Sequence, residues 1–192
     1  MGRGMTTPVR DQTVGDYLQA LASTAAVPGG GSAAALGAAM GAALVSMVAK
    51  LSAKKAKAVG DRDVLTGLVP EFDQLAARLL ELSQDDIEAY RAVIDARKSG
   101  AQGEALGRAY ERAAEVPLAT ATAAARALAL LPEVSKRAWE MTASDLAVGS
   151  ELLETGLAGA LGNVAVNLPE LQGEAAARIE RAYLELRALK AQ

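Results

Sequence analysis

Long stretches of the chain repeat apolar residues every three or four positions, with polar residues between them. In one stretch the residues that share a face are Leu75, Leu79, Leu82, Ala89 and Val93. This spacing is the repeat of an α-helix, whereas a strand would alternate at every second residue. We predict a helix from about Asp63 or Leu68 to Lys98, with Pro70 near its first turn.

The next periodic stretch predicts a third long helix, from about Glu104 to Leu130. Pro117 lies inside this stretch and predicts a kink, and Pro132 predicts its end, because proline removes a backbone donor and clashes with the preceding turn. Alanine, leucine, glutamate and arginine dominate the chain, and the aromatic residues that favour strands are scarce. The pattern therefore predicts an all-α protein, a single-domain bundle of long antiparallel helices.

Two shorter amphipathic helices are predicted at the ends of the chain. Thr13 and Asp16 resemble a capping box, which predicts a helix starting at Thr13. Pro169 starts a final helix over Gly173–Ala191. The residues that we expect to face inward on that helix are Ile179, Tyr183, Leu186 and Leu189.

One segment differs from all the others, the uncharged run PGGGSAAALGAAMGAALVSMVAK from Pro28 to Lys50. Gly29, Gly30 and Gly31 can adopt positive φ and allow close approach of a ligand. Ser32 is predicted to cap the helix that follows, whose free N–H groups could bind an anion or a carbonyl oxygen. The alternative is a tight turn before a buried helix.

Small residues on this helix, such as Ala33, Gly37 and Gly41, recur every four positions, so a neighbouring helix can pack closely and this helix lies at the centre of the bundle. A second helix, predicted to be capped by Ser144 and to carry Asp145 in its first turn, has the same composition. Its glycines are Gly149, Gly156, Gly159 and Gly162. We expect the two helices to cross.

Two asparagines, Asn163 and Asn167, lie one turn apart on the second small-residue helix. Asparagine has a low helix propensity, so a pair in a helix indicates a specific role. If the two helices cross, both side chains approach the glycine loop or another deep polar site. Hydrogen bonding between helices would also explain them.

Asp86 falls in line with the leucines of its helix, so we expect either a raised pKa or a charged partner, and both make it a candidate site. The alternative is that Asp86 lies at the edge of the stripe, beside Asp85, and reaches solvent. At the far end of the first small-residue helix, Lys50, Lys54, Lys55 and Lys57 form a basic cluster, which indicates either a solvated helix end or a docking site for carboxylates.

Composition narrows the possible functions. The chain has 192 residues, of which 51% are hydrophobic and 3% aromatic, so the core is built from Ala, Leu and Val, and a homo-oligomer could supply further burial. A net charge of -3 argues against a nucleic-acid-binding protein. The chain has neither cysteine nor histidine, which excludes a thiolate nucleophile and a His-ligated metal. Acid–base chemistry must therefore use Asp, Glu, Lys or Tyr.

The N-terminal sequence MGRGMTTPVRDQ has no apolar core of a signal peptide. The uncharged run from Ala33 to Ala49 is short for a bilayer and consists mainly of Ala and Gly. We expect a buried core helix in a cytoplasmic protein, and the alternative is a membrane-inserted helix with small residues at its contacts.

Four motifs in order resemble one known family. They are PGGGSAAALGAAMGAALVSMV (28–48), DIEAY (86–90), AAEVPL (113–118), and SDLAV (144–148) followed by NVAVNL (163–168). From about Thr13 to the last helix, the chain resembles the formiminotetrahydrofolate cyclodeaminase and methenyltetrahydrofolate cyclohydrolase family.

This resemblance implies an all-α fold that dimerises and a reduced folate as the substrate, possibly polyglutamylated, with no metal or other cofactor. In the cyclodeaminase reaction, N10 attacks the formimino carbon and ammonia leaves, which gives 5,10-methenyltetrahydrofolate. In the cyclohydrolase reaction, water opens the methenyl bridge to give 10-formyltetrahydrofolate. The motifs favour the cyclodeaminase slightly, and the cyclohydrolase remains the alternative.

The resemblance also implies roles for individual residues. Asp86 is the proton-transfer group. The residues expected to bind the substrate are Gly29, Gly30, Gly31, Ser32, Tyr90, Asp145, Asn163 and Asn167, together with Lys50, Lys54 and Lys55 for the glutamate tail. The chain departs from the family pattern at Ala96–Gly100 and at Gly173, which leaves a non-catalytic folate-binding protein as a further alternative.

Overall fold

The structure, a computed structural model, describes residues 7–190, and this part of the chain is helical with no strand. Six helices follow in order: α1 (Val14–Leu21), α2 (Gly30–Lys55), α3 (Val59–Lys98), α4 (Glu104–Ser135), α5 (Ala143–Asn167) and α6 (Gly173–Lys190). Short 3-10 helices occur at Val9–Asp11, Glu140–Thr142 and Leu168–Glu170. The prediction of an all-α fold is confirmed. Met1–Thr6 lie outside the described residues, and they form the first half of the N-terminal sequence in which no signal peptide was predicted.

Helix α2 packs against α3 on one side and α5 on the other, and α4 packs against both of these from the far side, so the four helices form a ring. The prediction that α2 lies at the centre of the bundle was therefore wrong, because Met40 and Met47 on its outer side are exposed. α2 and α5 are antiparallel. A Cβ added to Gly41 would lie 2.7 Å from the carbonyl oxygen of Gly149, and one added to Gly156 would lie 2.6 Å from the Cβ of Ala38. The prediction that the two small-residue helices pack closely on each other is therefore confirmed.

Small side chains fill the centre of the core because the helices approach so closely. Ala35, Ala38 and Ala42 of α2 are fully buried. Larger side chains of α3, among them Phe72 and Leu79, are also fully buried in this core. The uncharged character of α2 thus reflects its contacts with two neighbouring helices.

Both α2 and α4 are long and apolar enough to span a membrane by length and composition alone. A buried core helix passes the same test, and 61% of the most apolar stretch of α2 is buried within the bundle. Burial accounts for the larger part of this apolar stretch, while Met40 and Met47 are 51% and 36% exposed.

The predicted effects of two prolines were wrong. α3 begins at Val59, earlier than predicted, so Pro70 lies in its interior, between the fully buried Leu65 and Phe72. α4 continues past Pro132 to Ser135, where Val134 is fully buried. In both helices, apolar anchors on each side of the proline hold the backbone helical despite the missing hydrogen bond.

Two predicted caps were also wrong. Gly29 is the N-cap of α2, and Ser32 lies within the first turn. α5 follows directly from a 3-10 helix, with Thr142 as its N-cap and Ser144 inside the helix. The Thr13 cap is confirmed, because its side chain accepts a hydrogen bond from the backbone N–H of Asp16.

The last helix agrees with its prediction as far as it is described, since Ala191 lies outside the described residues. Pro169 lies in the preceding 3-10 helix, and α6 begins at Gly173. Ile179 is fully buried, as expected, but Leu189 is 60% exposed and does not face inward.

Candidate active site

The centre of the candidate site is Asp86, whose carboxyl group lies against the first turn of α2. A Cβ added to Gly31 would lie 2.6 Å from the carboxyl carbon of Asp86, so only glycine allows this approach. Positive φ is not the reason, because in the described residues it occurs only at Gly100, Gly103 and Gly173. Glycine is therefore required at position 31 because the carboxyl group of Asp86 occupies the space that a side chain would fill.

Burial raises the pKa of Asp86 to about 6, and a hydrogen bond from the backbone N–H of Ser32 opposes this shift. The free N–H groups at the start of α2 and the helix dipole also favour the ionised form. Asp86 can therefore exchange a proton near neutral pH, which is what a general acid or base requires. The prediction of a raised pKa from the leucine stripe agrees with this geometry.

Three buried hydroxyl groups hold the first turn of α2 in place. The Ser32 Oγ lies 3.0 Å from the Tyr17 hydroxyl and 2.9 Å from the Ser83 Oγ. Ser32 and Ser83 are fully buried, and Tyr17 is nearly so. The side chain of Ser32 therefore bonds inside the protein, and what it offers to Asp86 is its backbone N–H.

The two asparagines of α5 lie beside this turn. Asn163 Nδ2 donates to the carbonyl of Gly159 at 2.8 Å. Asn167 Nδ2 donates to the carbonyls of Asn163 and of Ala113, on α4, at 2.9 and 3.0 Å. The sequence left two interpretations of the asparagines, hydrogen bonding between helices and a place in the site. Both hold for Asn167, which bonds to α4 and also lines the pocket. These bonds orient both amides and leave their oxygens to accept from a ligand.

A pocket of about 200 Å³ brings these groups together. Its lining includes Gly29, Gly30, Gly31, Asp86, Tyr90, Asn163 and Asn167. Tyr90 is 47% exposed and Val166 is 76% exposed, so the pocket opens to solvent between α3 and α5. The structure thus joins most of the site residues suggested by the sequence.

The basic cluster is not part of this pocket. Lys50 is 19 residues from Gly31 along α2, which corresponds to about 28 Å. It forms an ion pair at 2.9 Å with Asp73, whose pKa is held below its usual range by hydrogen bonds from Ser46 and from Lys50 itself. Lys55 lies over the ring of Trp139 at 5.1 Å from its centroid. Within one chain, the lysines do not reach a ligand beside Asp86.

Asp145 is also distant from the pocket. It lies in the first turn of α5, 18 residues before Asn163, or about 27 Å away along the helix. The expectation that it lines the same pocket as the two asparagines is wrong for a single chain. A motif match gives the order of the residues along the chain, but it does not show that residues at opposite ends of a straight helix are too far apart to line one pocket.

The sequence analysis missed several residues of the site. Ser83 precedes Asp86 by three positions on the same helical face, and its polarity within that stripe was the available signal. Tyr17 was not predicted, because nothing in the sequence shows that α1 folds back onto the start of α2. Ala113 and Val166 lie within the motifs AAEVPL and NVAVNL, but nothing in those motifs singled them out as lining the pocket.

The departures at Gly100 and Gly173 have a conformational explanation. Their φ values are +71° and +67°, a region that favours glycine over other residues. Neither lies in the lining of the pocket beside Asp86. The loss of a family side chain at these two turns therefore leaves the geometry around Asp86 intact.

Comparison with known proteins identifies relatives of the chain. The family model described as formiminotransferase-cyclodeaminase matches residues 13–184. A methenyltetrahydrofolate cyclohydrolase of Methylorubrum extorquens is 34% identical over 183 residues, which cover 91% of this chain and 88% of that protein. The formimidoyltransferase-cyclodeaminase of Sus scrofa is 33% identical over 167 residues, which cover 83% of this chain but 31% of the pig protein.

A solved structure supports the same fold. The formiminotetrahydrofolate cyclodeaminase of Thermotoga maritima superposes with a TM-score of 0.88 at 24% identity, covering 95% of this chain and 92% of that one. The resemblance found in the sequence motifs is confirmed by these matches. The chain belongs to the formiminotransferase-cyclodeaminase family.

Proposed function

We propose that the chain is a methenyltetrahydrofolate cyclohydrolase, which adds water to 5,10-methenyltetrahydrofolate to give 10-formyltetrahydrofolate. The observation that carries the proposal is the carboxyl group of Asp86, which is partly buried at the N-terminus of α2 and has a pKa of about 6. The similarity to the M. extorquens cyclohydrolase supports this choice, since it extends over 88% of that enzyme.

Asp86 serves as both base and acid in this reaction. As the carboxylate, it accepts a proton from water while the water oxygen bonds to the methenyl carbon. The product of this step is a neutral tetrahedral adduct bearing a hydroxyl group. The carbon–N5 bond then breaks, N5 takes the proton from Asp86, and the hydroxyl proton is released to solvent as the formyl group forms on N10.

Other residues of the pocket bind and orient the substrate. The amide oxygens of Asn163 and Asn167 accept from N–H groups of the folate ring. The aromatic ring of Tyr90, at the mouth of the pocket, stacks on the flat part of the ligand. The open N–H groups of Gly30 and Gly31 attract the oxygen of the attacking water or of the adduct. The position of each residue in the lining of the pocket supports its proposed role.

Cyclodeamination of 5-formiminotetrahydrofolate is the second candidate, which the sequence motifs favoured. The same carboxyl group can transfer a proton to the departing ammonia after N10 attacks the formimino carbon. The 33% identity to the pig formimidoyltransferase-cyclodeaminase supports this candidate, although the chain spans only 31% of that protein.

We further propose that the protein acts in the cytoplasm as a homodimer without a cofactor. The reaction needs only proton transfer and substrate orientation, both of which the pocket residues supply. The exposed apolar side chains Met40 and Met47 of α2 and Val148 and Val166 of α5 support the dimer.

A stopped-flow absorbance assay distinguishes the two activities, because methenyltetrahydrofolate absorbs where the other folates do not. We expect the purified protein to accelerate the loss of this absorbance, and Asp86→Asn to abolish the acceleration. Appearance of the absorbance from 5-formiminotetrahydrofolate, with release of ammonia, would instead support the cyclodeaminase. Neither change, in a folded protein that binds tetrahydrofolate, would support a non-catalytic folate-binding protein.

A further inference from the structure

Helix α1 lies outside the ring of α2, α3, α4 and α5 and is anchored to it mainly by one side chain. Tyr17 is the one residue of α1 that is buried, whereas Val14 and Leu18 are 77% and 56% exposed. Tyr17 belongs to a small apolar cluster that also contains Ile87, the residue directly after Asp86. The anchor of α1 therefore lies next to the candidate site.

The hydroxyl group of Tyr17 begins a chain of three hydroxyl groups that crosses from α1 to α3. It lies 3.0 Å from the Oγ of Ser32, which in turn lies 2.9 Å from the Oγ of Ser83. All three side chains are buried, so water cannot replace a partner that is lost. The chain therefore holds α1, the first turn of α2 and α3 in one fixed arrangement.

Both serines of this chain lie close to Asp86 along the backbone. Ser83 precedes Asp86 by one helical turn on α3, and the backbone N–H of Ser32 donates a hydrogen bond to the carboxyl group of Asp86. A Cβ added to Gly31, the residue before Ser32, would collide with the same carboxyl group. A small shift of the first turn of α2 would therefore disturb the environment of the carboxyl group.

We propose that Tyr17, Ser32 and Ser83 are positioning residues, whose hydroxyl chain fixes the first turn of α2 against α3 and so directs the N–H of Ser32 at the carboxyl group of Asp86. This inference rests on the proposed function for the reaction that Asp86 carries out, but not for the geometry around it. None of the three side chains is among the described residues that line the pocket, so each acts through Asp86 and not on the substrate.

The same anchor supports one wall of the pocket. The segment that joins α1 to α2 contributes Ala26 and Val27 to the lining, and Val27 also packs against the apolar cluster of Tyr17. The ring of Tyr17 thus supports the wall, while its hydroxyl group supports the hydrogen bond to Asp86. Helix α1 serves the site although it contributes one buried side chain.

The titration of Asp86 reports on this hydrogen bond because few other groups titrate beside it. Among the described residues that line the pocket, Tyr90 is the only other titratable side chain. The neighbouring carboxylates of α3, Asp85 and Glu88, are each paired with an arginine. The hydrogen bond from Ser32 lowers the pKa of Asp86, so weakening this bond should raise the pKa.

Carbon-13 NMR of the aspartate carboxyl groups tests the proposal without any turnover, and the signal of Asp86 is assigned from its loss in Asp86→Asn. The variant is Tyr17→Phe, which removes the hydroxyl group but keeps the ring in its cluster. We expect the pKa of Asp86 to rise from about 6 to about 7, a roughly tenfold change in proton affinity. An unchanged pKa would overturn the proposal.

The matched control is Thr120→Val, which removes a buried hydroxyl group away from the site. Thr120 is 2% exposed, and its hydroxyl group donates to the carbonyl oxygen of Val116 within α4 at 3.2 Å. We expect both variants to lower the midpoint of thermal unfolding, but only Tyr17→Phe to change the pKa of Asp86. Equal changes in the two variants would indicate a general loosening of the bundle and would overturn the proposal.

A double variant tests whether Tyr17 and Ser83 act through the same serine. Ser83→Ala should raise the pKa of Asp86 as Tyr17→Phe does, and the double variant should raise it by less than the sum of the two changes. Ser32→Ala keeps the backbone N–H but removes the central hydroxyl group, so it should match the double variant. Additive changes would contradict a single chain through Ser32.

Kinetic measurements connect the positioning to the proposed reaction. For Tyr17→Phe with methenyltetrahydrofolate, we expect kcat at pH 8 to fall about tenfold while KM stays within about twofold, because the carboxyl group is misaligned but the pocket wall remains. The midpoint of the pH–rate profile should rise together with the pKa of Asp86. A raised pKa in a protein that turns over neither folate would support the positioning and reject the proposed function. Turnover with an unchanged pKa would reject the positioning alone.

Discussion

At the level of single residues, Asp86 combines two opposing influences. Burial disfavours its charge, while the N–H of Ser32 and the start of α2 favour it, and the result is a pKa of about 6. An ordinary exposed aspartate, with a pKa of about 3.9, would be a weak base at neutral pH. The position of Asp86 between the leucine stripe and the helix terminus therefore makes it a stronger base that is still mostly ionised.

The pH dependence of turnover should follow this pKa. We expect kcat/KM for methenyltetrahydrofolate to be half its maximum near pH 6 and to fall about tenfold for each pH unit below, because the protonated carboxyl cannot accept a proton from water. The measurement is the initial rate between pH 4.5 and 8, corrected for the uncatalysed reaction. A rate that is constant down to pH 5 would argue against Asp86 as the base.

Neutralising Asp86 should also stabilise the fold. Because the folded pKa of about 6 lies above the unfolded value of 3.8, folding takes up a proton between these values, and stability rises as the pH falls from about 6 towards 4. Above pH 6 the ionised group costs up to about 3 kcal/mol. We expect Asp86→Asn to raise the free energy of unfolding at pH 7.5 by roughly 1–3 kcal/mol. Urea titrations at pH 5 and pH 7.5 measure this, and the gain should be smaller at pH 5.

At the level of elements, two helix contacts depend on the absence of a side chain. Gly31 lets α3 bring Asp86 against the first turn of α2, and Gly156 lets α5 pack closely on α2. The first contact forms the site, and the second positions the asparagines beside it. Substitution should separate these two effects.

Gly31→Ala should remove activity while the helices remain folded. The new methyl group would lie 2.6 Å from the carboxyl carbon of Asp86, so the carboxylate must move, and a displacement of this size can cost on the order of 100-fold in kcat. The matched control is Gly67→Ala on α3, where a Cβ meets nothing within 4 Å. The control should keep full activity, and equal rates for both variants would contradict the geometry.

Gly156→Ala should destabilise the bundle. Its Cβ would lie 2.6 Å from that of Ala38 and 2.9 Å from the carbonyl oxygen of Ala34, so α5 must shift away from α2. Overpacking of this kind costs typically 1–3 kcal/mol. Thermal unfolding measures the loss, and Gly67→Ala should show a small gain instead because alanine has the higher helix propensity.

The sequence predicted the helices well because their apolar residues repeat at helical spacing. It failed at Pro70 and Pro132, since the cost of a proline in a helix is outweighed by buried anchors that only the folded structure reveals. In the site, Asp86 and the asparagines were found from their unusual positions within helices. The distances of Lys50 and Asp145 from the pocket could not be predicted from the order of the motifs. The hydrogen bond between the hydroxyl groups of Tyr17 and Ser32 could not be predicted either, because it depends on how α1 folds back onto α2.

At the level of the whole molecule, the proposed active unit is a dimer, and the exposed Val166 also lines the pocket beside Asp86. Activity should then depend on protein concentration. We expect kcat/KM per chain to fall when the protein is diluted below the dissociation constant of the dimer, and Met40→Arg to show the lower value at every concentration. Rates measured from nanomolar to micromolar chain test this, and a constant value through dissociation would contradict a role of the dimer in the activity.

Trp139 is the only tryptophan of the chain, and the ammonium group of Lys55 lies 5.1 Å from its ring centroid. The emission of an indole responds to a charge held over its ring, so this pair is an intrinsic fluorescent probe. The pair lies at the C-terminal end of α2, opposite the end that carries Asp86. The fluorescence of an unlabelled protein would therefore report changes at the far end of the bundle from the pocket.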